Sequence, residues 1–323
     1  MKSLRTIVTL FALLCSLVGQ GQQLPQFSQY VENPLLFNPA VTGSLQWVDF
    51  TLGTRQQWTG FDHAPSTSVL AVHSSIDKQK WGVGGYFFSD RNGLINNSGM
   101  NLSYAYHIPV GVSAKLGLGL AGSYSRYRFA VEQLQITHTA DNLLQHGGSA
   151  QNWTPDASAG ILLHRSDYFI GLSVLHLPET QNMLFNDFNP GGGMPGVRHY
   201  YAMGMYRYLY NEDYEVAPAF LAEYVPGAPV QFDVQVRAIY RDFVQFGLGY
   251  RYRDAMTVRF GCVFLRDWQV NYSYDFPVSS LVNYSNGSHE ITLQYDLYYK
   301  PIYRKNRRRY NLSKVKKKDD TGE

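Results

Sequence analysis

The chain has 323 residues and a formal net charge of +3, and only 16% of its residues are charged, against about 25% in an average soluble domain. Beyond the N-terminal end, no stretch approaches the ~18 consecutive apolar residues of a membrane-spanning helix, so the sequence gives no candidate for one. The 25 tyrosines and 18 phenylalanines suit either an aromatic-rich β-sandwich or the aromatic girdles of a membrane β-barrel.

Residues 1–21 have the pattern of a cleavable secretion signal. Two basic residues precede an apolar run over residues 7–18, and small residues follow it. The run is too short to span a bilayer, so we expect residues 1–21 to be removed as a signal peptide. A lipoprotein signal fits Cys15 less well, because a leucine rather than a small residue stands before it. Without Cys15 the chain keeps Cys262 as its single thiol, and no internal disulfide is expected.

The next segment, residues 22–46, contains three prolines, two of them in the Asn-Pro steps at Pro34 and Pro39. A residue that precedes proline avoids the α-helical region, so this composition predicts an ordered extended segment. In front of a barrel, such a segment lies in the periplasm or plugs the lumen.

Residues 47–299 alternate apolar and polar side chains, as β-strands do. The predicted strands run to about ten residues, the length of a tilted membrane-crossing strand, whereas strands of soluble proteins average five to six. Their polar face mixes glycine with arginine, aspartate and glutamine, which is typical of a barrel lumen. The predicted fold class is therefore all-β, a transmembrane antiparallel β-barrel with an extended N-terminal periplasmic or plug segment.

About 14 strands are predicted, an even number as in single-chain bacterial barrels. They cover about residues 47–58, 66–75, 80–89, 98–107, 112–126, 154–163, 167–176, 198–208, 213–224, 229–240, 242–252, 255–264, 267–276 and 287–298.

The connections between these strands alternate in length. They are short after strands 2, 6, 8, 10 and 12, and long at about residues 127–153, 177–197 and 277–286. Short periplasmic turns and longer outer loops are typical of outer-membrane barrels, and a sandwich gives no reason for the alternation. The phase predicts an integral outer-membrane protein with both termini in the periplasm.

Residues 300–323 form a basic tail, with ten Lys and Arg against three Asp and Glu. Such runs can bind nucleic acid, but we expect no nucleic-acid partner for a secreted chain. The tail is interpreted either as a solvated periplasmic extension or as an electrostatic handle for an acidic periplasmic partner.

No motif for catalysis, metal binding or cofactor binding is found in the sequence. The nine histidines form no HExxH motif, and GxSxG does not occur. Ser288 and His289 are adjacent in a predicted strand, so they point to opposite faces and cannot easily share a proton. We therefore expect no enzymatic activity, no metal and no cofactor. The charged residues expected on the lumen face of the strands either form internal ion pairs or set the selectivity of a conducting pore. These residues are Lys115, Asp233, Arg237, Arg251, Arg253, Arg259 and Asp275.

Four blocks of sequence carry a resemblance to a known family. They are Gln26-Phe-Ser-Gln-Tyr30 with Asn33-Pro-Leu-Leu-Phe-Asn-Pro-Ala40, Arg55-Gln-Gln-Trp58 with Gly60, Phe61 and Ala64-Pro-Ser-Thr67, Tyr104-Ala-Tyr-His107, and Tyr274-Asp-Phe-Pro277 with Gly287-Ser-His-Glu-Ile291. In these blocks the chain resembles the PorP/SprF family of outer-membrane proteins of the type IX secretion system.

The resemblance implies a non-enzymatic component of the type IX secretion and gliding machinery. Such a component supports the secretion or surface anchoring of a large adhesin, contacts other secretion-system envelope proteins in the periplasm, and is surrounded by outer-membrane lipid. Candidate partner-contact residues in the N-terminal segment and the tail are Phe27, Tyr30, Asn33, Pro34, Asn38, Pro39, Arg307, Arg308, Arg309, Lys316 and Lys317. The alternative is a general outer-membrane porin or substrate channel, which has little use for an ordered N-terminal segment.

Overall fold

In a computed structural model of the protein, the structure describes residues 25–77, 79–129, 151–179, 181–182, 194–265 and 267–297. The predicted signal peptide, the basic tail and most of the two longest predicted loops lie outside these residues. Within them, no helix is long and apolar enough to cross a membrane.

Fourteen antiparallel strands form one closed barrel in the described part of the chain. In chain order they are β1 (Val48–Gln56), β2 (Ser66–Ile76), β3 (Trp81–Asn92), β4 (Ile95–Val110), β5 (Ala114–Phe129), β6 (Gln151–His164), β7 (Tyr168–Leu175), β8 (His199–Tyr206), β9 (Tyr214–Tyr224), β10 (Gln231–Tyr240), β11 (Val244–Arg251), β12 (Ala255–Phe264), β13 (Trp268–Pro277) and β14 (Ser288–Leu297). Consecutive strands pair with each other, and β14 pairs with β1 to close the barrel. The predicted all-β barrel fold is confirmed.

Short elements supplement the barrel. Tyr208–Leu209 pairs with β9 just beyond the end of β8, and Gln181–Asn182 pairs with Met194–Pro195 as a separate two-stranded sheet. A 3-10 turn, Ser280–Asn283, lies in the connection between β13 and β14.

The barrel wall is apolar on the outside and mostly polar on the inside. Leu102 and Leu120 are each 65% exposed on the outer face, whereas Thr51 and Ser273 on the inner face are buried. Because successive side chains of a strand point to opposite faces, the alternation in the sequence produces both surfaces at once. An apolar outer band around a polar interior is the surface that an outer-membrane barrel presents to lipid.

The two rims of the barrel differ in their connections. At one rim, which we call the short-turn rim, strands are joined by residues 77–80, 111–113, 165–167, 207–213, 241–243 and 265–267. At the other, the long-loop rim, the connections are residues 57–65, 93–94, 130–150, 176–198, 225–230, 252–254 and 278–287. Four of these are longer than any connection at the short-turn rim, and 93–94 and 252–254 are short. Both the start of β1 and the end of β14 lie at the short-turn rim.

The wall is also uneven in height. β4 and β5 have 16 residues each, whereas β7 and β8 have 8 each. Along β4 the outward residues are apolar at Met100, Leu102 and Tyr104 but polar at Asn96 and Ser98. A tilted strand crosses the hydrocarbon core in roughly 9–11 residues, so the long-loop ends of these tall strands extend beyond the lipid.

Candidate functional site: the plugged lumen

The N-terminal segment crosses the lumen of the barrel. We call residues 25–47 the plug. At the long-loop end of β10, Gln26 Nε2 donates to Gln231 Oε1 at 2.6 Å, and at the short-turn rim Gln79 Nε2 donates to the Ser44 carbonyl at 2.7 Å. The plug therefore descends from the long-loop half of the lumen to the short-turn rim, where β1 begins. Of the two locations expected for this segment, it occupies the lumen.

Two 3-10 turns, Pro34–Leu36 and Pro39–Val41, shape the plug, which is therefore less extended than the sequence suggests. Each starts with a proline, whose fixed backbone and missing N–H suit the first position of a helical turn. Asn38 caps the second turn by accepting from Ala40 N–H at 2.9 Å, and its amide donates to the wall carbonyls of Ile161 and Leu172 at 3.0 and 3.3 Å. This one buried side chain both forms the turn and attaches it to the wall.

Two buried wall carboxylates hold the start of the plug. Glu290 on β14 accepts the backbone N–H groups of Ser28 and Gln29 at 2.8 and 3.1 Å, and Ser28 Oγ donates to Asp275 on β13 at 2.7 Å. Arg55 on β1 bridges the two carboxylates at 2.7 Å from Asp275 and 3.0 Å from Glu290. Because all three charged side chains are at most 3% exposed, water weakens these charge-assisted bonds little.

A second buried ion cluster holds the middle of the plug. The Glu32 carboxylate lies 2.7 Å from the Arg237 guanidinium and forms a closer ion pair with Arg259. Burial by itself raises the pKa of Glu32, but the two guanidinium groups outweigh that effect and hold the pKa below its usual value. The carboxylate is therefore ionised at neutral pH, and it separates two positive charges of the wall.

Two wall histidines bind the plug backbone near the short-turn rim, and a third supports one of them. His107 Nε2 lies 2.8 Å from the Thr42 carbonyl, and its Nδ1 lies 3.0 Å from His164 Nε2. Because a carbonyl only accepts, Nε2 of His107 carries the proton, and in the neutral ring Nδ1 accepts from His164. His73 Nδ1 accepts from Gly43 N–H at 3.3 Å. In the part of the chain that the structure describes, no cluster of side chains suits a metal ion, and these histidines serve as hydrogen-bonding partners instead.

Wall glycines allow the plug to lie against the strand backbones. A Cβ atom on Gly119 would lie 2.2 Å from Ala40 N, and one on Gly160 would lie 2.1 Å from Asn38 Oδ1. Both distances are far below van der Waals contact, so any other residue would push the plug away from the wall. The glycines on the polar face of the strands thus leave room for the plug.

Apolar contacts complete the packing of the plug. Tyr30 and Phe37 join Leu175, Tyr201 and Met203 of the wall in one buried cluster. The Phe37 and Tyr201 rings meet edge to face with centroids 5.4 Å apart, a geometry that aromatic pairs favour.

The structure brings the six candidate contact residues of the plug together inside the barrel. They are Tyr30, Asn33, Asn38 and Pro39, which are buried, and Phe27 and Pro34, which are half-buried. Their contact with a partner stays a prediction, because in this arrangement they face the wall of their own barrel. The five tail candidates, Arg307, Arg308, Arg309, Lys316 and Lys317, lie outside the described residues.

Five of the charged residues expected in the lumen are buried there and form ion pairs. They are Asp233, Arg237, Arg251, Arg259 and Asp275. Lys115 donates to the Gln79 carbonyl at 3.1 Å near the short-turn rim.

The expected lumen position is wrong for Arg253. Its φ of 59° places it in the turn after β11, where it is exposed and lies over the Tyr252 ring at 5.1 Å. The strand ends at Arg251, so the alternation no longer decides where the Arg253 side chain points.

Sequence reasoning missed Glu32, Arg55 and Glu290, the groups that hold the plug. One signal was available, because Glu32 is the only charged residue between positions 25 and 47. A single charge in a segment that enters a barrel indicates an opposite charge on the lumen face, but the alternation does not say which arginine provides it.

Comparison with known proteins supplements this geometry. A family model described as "Type IX secretion system membrane protein PorP/SprF" matches residues 19–295. A comparison with curated protein sequences gives no significant match. Among solved structures, the barrel is similar to the CymD monoaromatic hydrocarbon channel, with a TM-score of 0.51 and 13% identity over 87% of this chain and 95% of that one. It is also similar to a deltaS2S3 mutant of the TodX monoaromatic hydrocarbon channel, with a TM-score of 0.50 and 10% identity over 83% and 94% of the two chains. At such low identity these similarities concern the barrel fold alone.

Proposed function

The chain belongs to the PorP/SprF family of type IX secretion system membrane proteins, and from that premise we propose that it is a plugged scaffold for the secretion or surface anchoring of a large adhesin. It is an outer-membrane β-barrel whose family and fold are those of secretion and transport components. Membership in the family implies association with other components of the secretion system. The adhesin, the role in gliding and adhesion, and the contacts with particular periplasmic proteins are the proposed part.

The observation that carries the proposal is the attachment of the plug to the wall through two buried ion clusters. Ser28 and Gln29 bind the Arg55–Glu290 cluster, and Glu32 binds a separate pair of arginines. Buried ion pairs contribute little net stability, because desolvation offsets their attraction, and their best-attested use is to specify one arrangement. A scaffold requires one fixed arrangement of its lumen, whereas a general porin requires an open path.

Orientation follows from the rims. Short turns of outer-membrane barrels face the periplasm, so we infer that the short-turn rim is periplasmic. β14 ends at this rim with Leu297, so the basic tail, residues 300–323, would begin in the periplasm, where it would meet an acidic partner. A periplasmic amino terminus stays a prediction, since the described chain starts with Pro25 inside the lumen.

Purification of the tagged protein from its native membrane in mild detergent, with mass spectrometry of the associated proteins, tests the proposal. We expect secretion-system envelope proteins and a very large surface protein to be recovered. Deleting residues 304–323 should leave the barrel folded, as judged by its heat-modifiable mobility in gels, and should reduce the recovery of periplasmic partners. Equal recovery with and without the tail would refute its role as a handle.

The second candidate function is a porin or substrate channel. The fold similarity to two monoaromatic hydrocarbon channels favours it, although at this identity the similarity carries no substrate. A lone barrel in the pull-down, together with steady conductance of the purified protein in planar bilayers, would establish the channel and refute the scaffold.

A further inference from the structure

Above the plug, the long-loop half of the lumen contains a cavity of about 300 Å³, which we call the vestibule. Phe27 and Phe37 of the plug form part of its lining, and the remainder comes from the long-loop halves of β2–β8 and the residues just before β8. The volume is at the lower end of the range for ligand pockets, so it suits a few side chains of a partner rather than a folded domain.

One wall of the vestibule is a polar panel on the tall strands β3–β6. The panel consists of three cross-strand rows, which are Asp90–Asn97–Tyr127, Ser125–Thr154, and Asn101–Ser123–Asp156. Neighbouring strands lie about 4.8 Å apart, so the rows form a continuous surface. The first row lies level with the polar outward residues of β4, which places this part of the panel beyond the lipid.

Three oxygen atoms of this panel are buried and have no hydrogen-bond partner among the described residues. They are Asn97 Oδ1, Thr154 Oγ1 and Asp156 Oδ1. Thr154 is 8% exposed and the Asp156 side chain is 9% exposed, while the second Asp156 oxygen lies 2.7 Å from His176 Nδ1. Buried acceptors without donors are costly, so this group of atoms indicates a ligand that supplies N–H groups.

The charge of the vestibule gives the sign of that ligand. Asp90 and Asp156 line it, and no lysine or arginine does so among the described residues. The two longest connections at this rim, residues 130–150 and 176–198, contain four acidic residues and a single arginine, Arg198, in their sequence. Arg198 donates to the Leu177 carbonyl at 3.1 Å and lies 3.4 Å from the Glu179 carboxylate. His176 contacts only one oxygen of Asp156, and Arg198 is paired with Glu179, so a guanidinium group for the remaining acceptors comes from outside these loops.

We propose that the vestibule binds the arginine side chain of an external polypeptide that reaches it from the long-loop rim. A guanidinium group offers five N–H donors in one plane, which suits several acceptors on one wall, whereas a lysine ammonium offers three donors at a point. Tyr86 and Tyr127, which also line the vestibule, are aromatic groups on which such a plane can stack. The identification of the source as a polypeptide rests on the proposed scaffold function, and the cation site itself does not.

Calorimetric titration of the full mature protein in detergent tests the proposal with a blocked tripeptide, acetyl-Gly-Arg-Gly-amide. We expect binding that weakens at least tenfold when citrulline replaces arginine, because citrulline keeps the shape and loses the charge. Asp156→Asn should weaken binding of the arginine peptide at least tenfold, and Thr154→Val should weaken it severalfold. Asp213→Asn is the matched control, since Asp213 forms an exposed ion pair with Arg241 at the opposite rim, and it should bind as the wild type does.

Three results would overturn the proposal. They are equal binding of the arginine and citrulline peptides, unchanged binding by Asp156→Asn in a protein with normal heat-modifiable mobility, and no binding of the arginine peptide at millimolar concentration. Agmatine, a free guanidinium compound, should bind more weakly than the peptide, and tighter binding would assign the site to a small molecule and refute the polypeptide source. The titration needs no secretion partner, so its failure is distinguishable from failure of the scaffold function, which the pull-down decides.

Discussion

Replacing Glu32 with glutamine removes the single charge of the plug from between Arg237 and Arg259. The side chain keeps its size, so the change is electrostatic. Removing one member of a buried ion cluster typically costs about 3–5 kcal/mol, because the remaining charges stay buried without a partner. Glutamine keeps one hydrogen-bond acceptor, so we expect the lower end, about 3 kcal/mol, which changes the ratio of docked to undocked plug roughly 100-fold.

Hydrogen exchange followed by mass spectrometry measures this ratio. In Glu32→Gln, peptides covering residues 25–47 should exchange roughly 100-fold faster, while peptides from β3 to β6 keep their protection. Glu179→Gln is the control, since Glu179 and its partner Arg198 are 48% and 41% exposed, and an exposed pair contributes about 0–1 kcal/mol. Wild-type exchange rates in the plug of Glu32→Gln would show that the Glu32 cluster does not hold it.

Two further changes test the same contacts. Gly119→Ala places a methyl group 2.2 Å from Ala40 N, so it should displace the plug and raise conductance in planar bilayers. Gly122→Ala is the control, because its methyl group has no atom within 4 Å, and it should conduct as the wild type does. Equal conductance of the two variants would contradict the plug contact. Because the pKa of Glu32 is lower in the folded protein than its ordinary value of 4.5, its contribution is complete above pH 4.5 and is lost as the pH falls through the lower folded pKa. Exchange of the plug should therefore accelerate below pH 4.5 more in the wild type than in Glu32→Gln, and identical pH profiles, after correction for the intrinsic exchange rate, would refute this.

The barrel was predictable because its signal is local. Alternation requires only that a strand has one face in lipid and one in the lumen, and most of the fourteen strands show it. The predicted strand 198–208 has tyrosines on both faces, so its sequence leaves the direction of the side chains open, and pairing with both neighbours places His199, Tyr201 and Met203 inward. The failure at Arg253 has the same origin, since alternation carries no information once the strand has ended.

The plug was predictable in part. Its prolines indicated an ordered segment, and the candidates Tyr30, Asn38 and Pro39 lie at its buried contacts with the wall. The partners of that segment were not predictable. Arg55 and Asp275 are 220 positions apart in the chain, and only the closure of β14 onto β1 brings them to 2.7 Å.

The sequence by itself determined the barrel, its apolar surface, the contrast between its two rims and the presence of an ordered segment before β1. These features depend on residue type and on spacing within single elements. The tertiary structure alone decided that the segment lies in the lumen, which charges hold it, which glycines make room for it, and that a vestibule with unpartnered acceptors remains above it. Those features depend on which side chains meet across a closed barrel, and that follows from the register of all fourteen strands together rather than from any one of them.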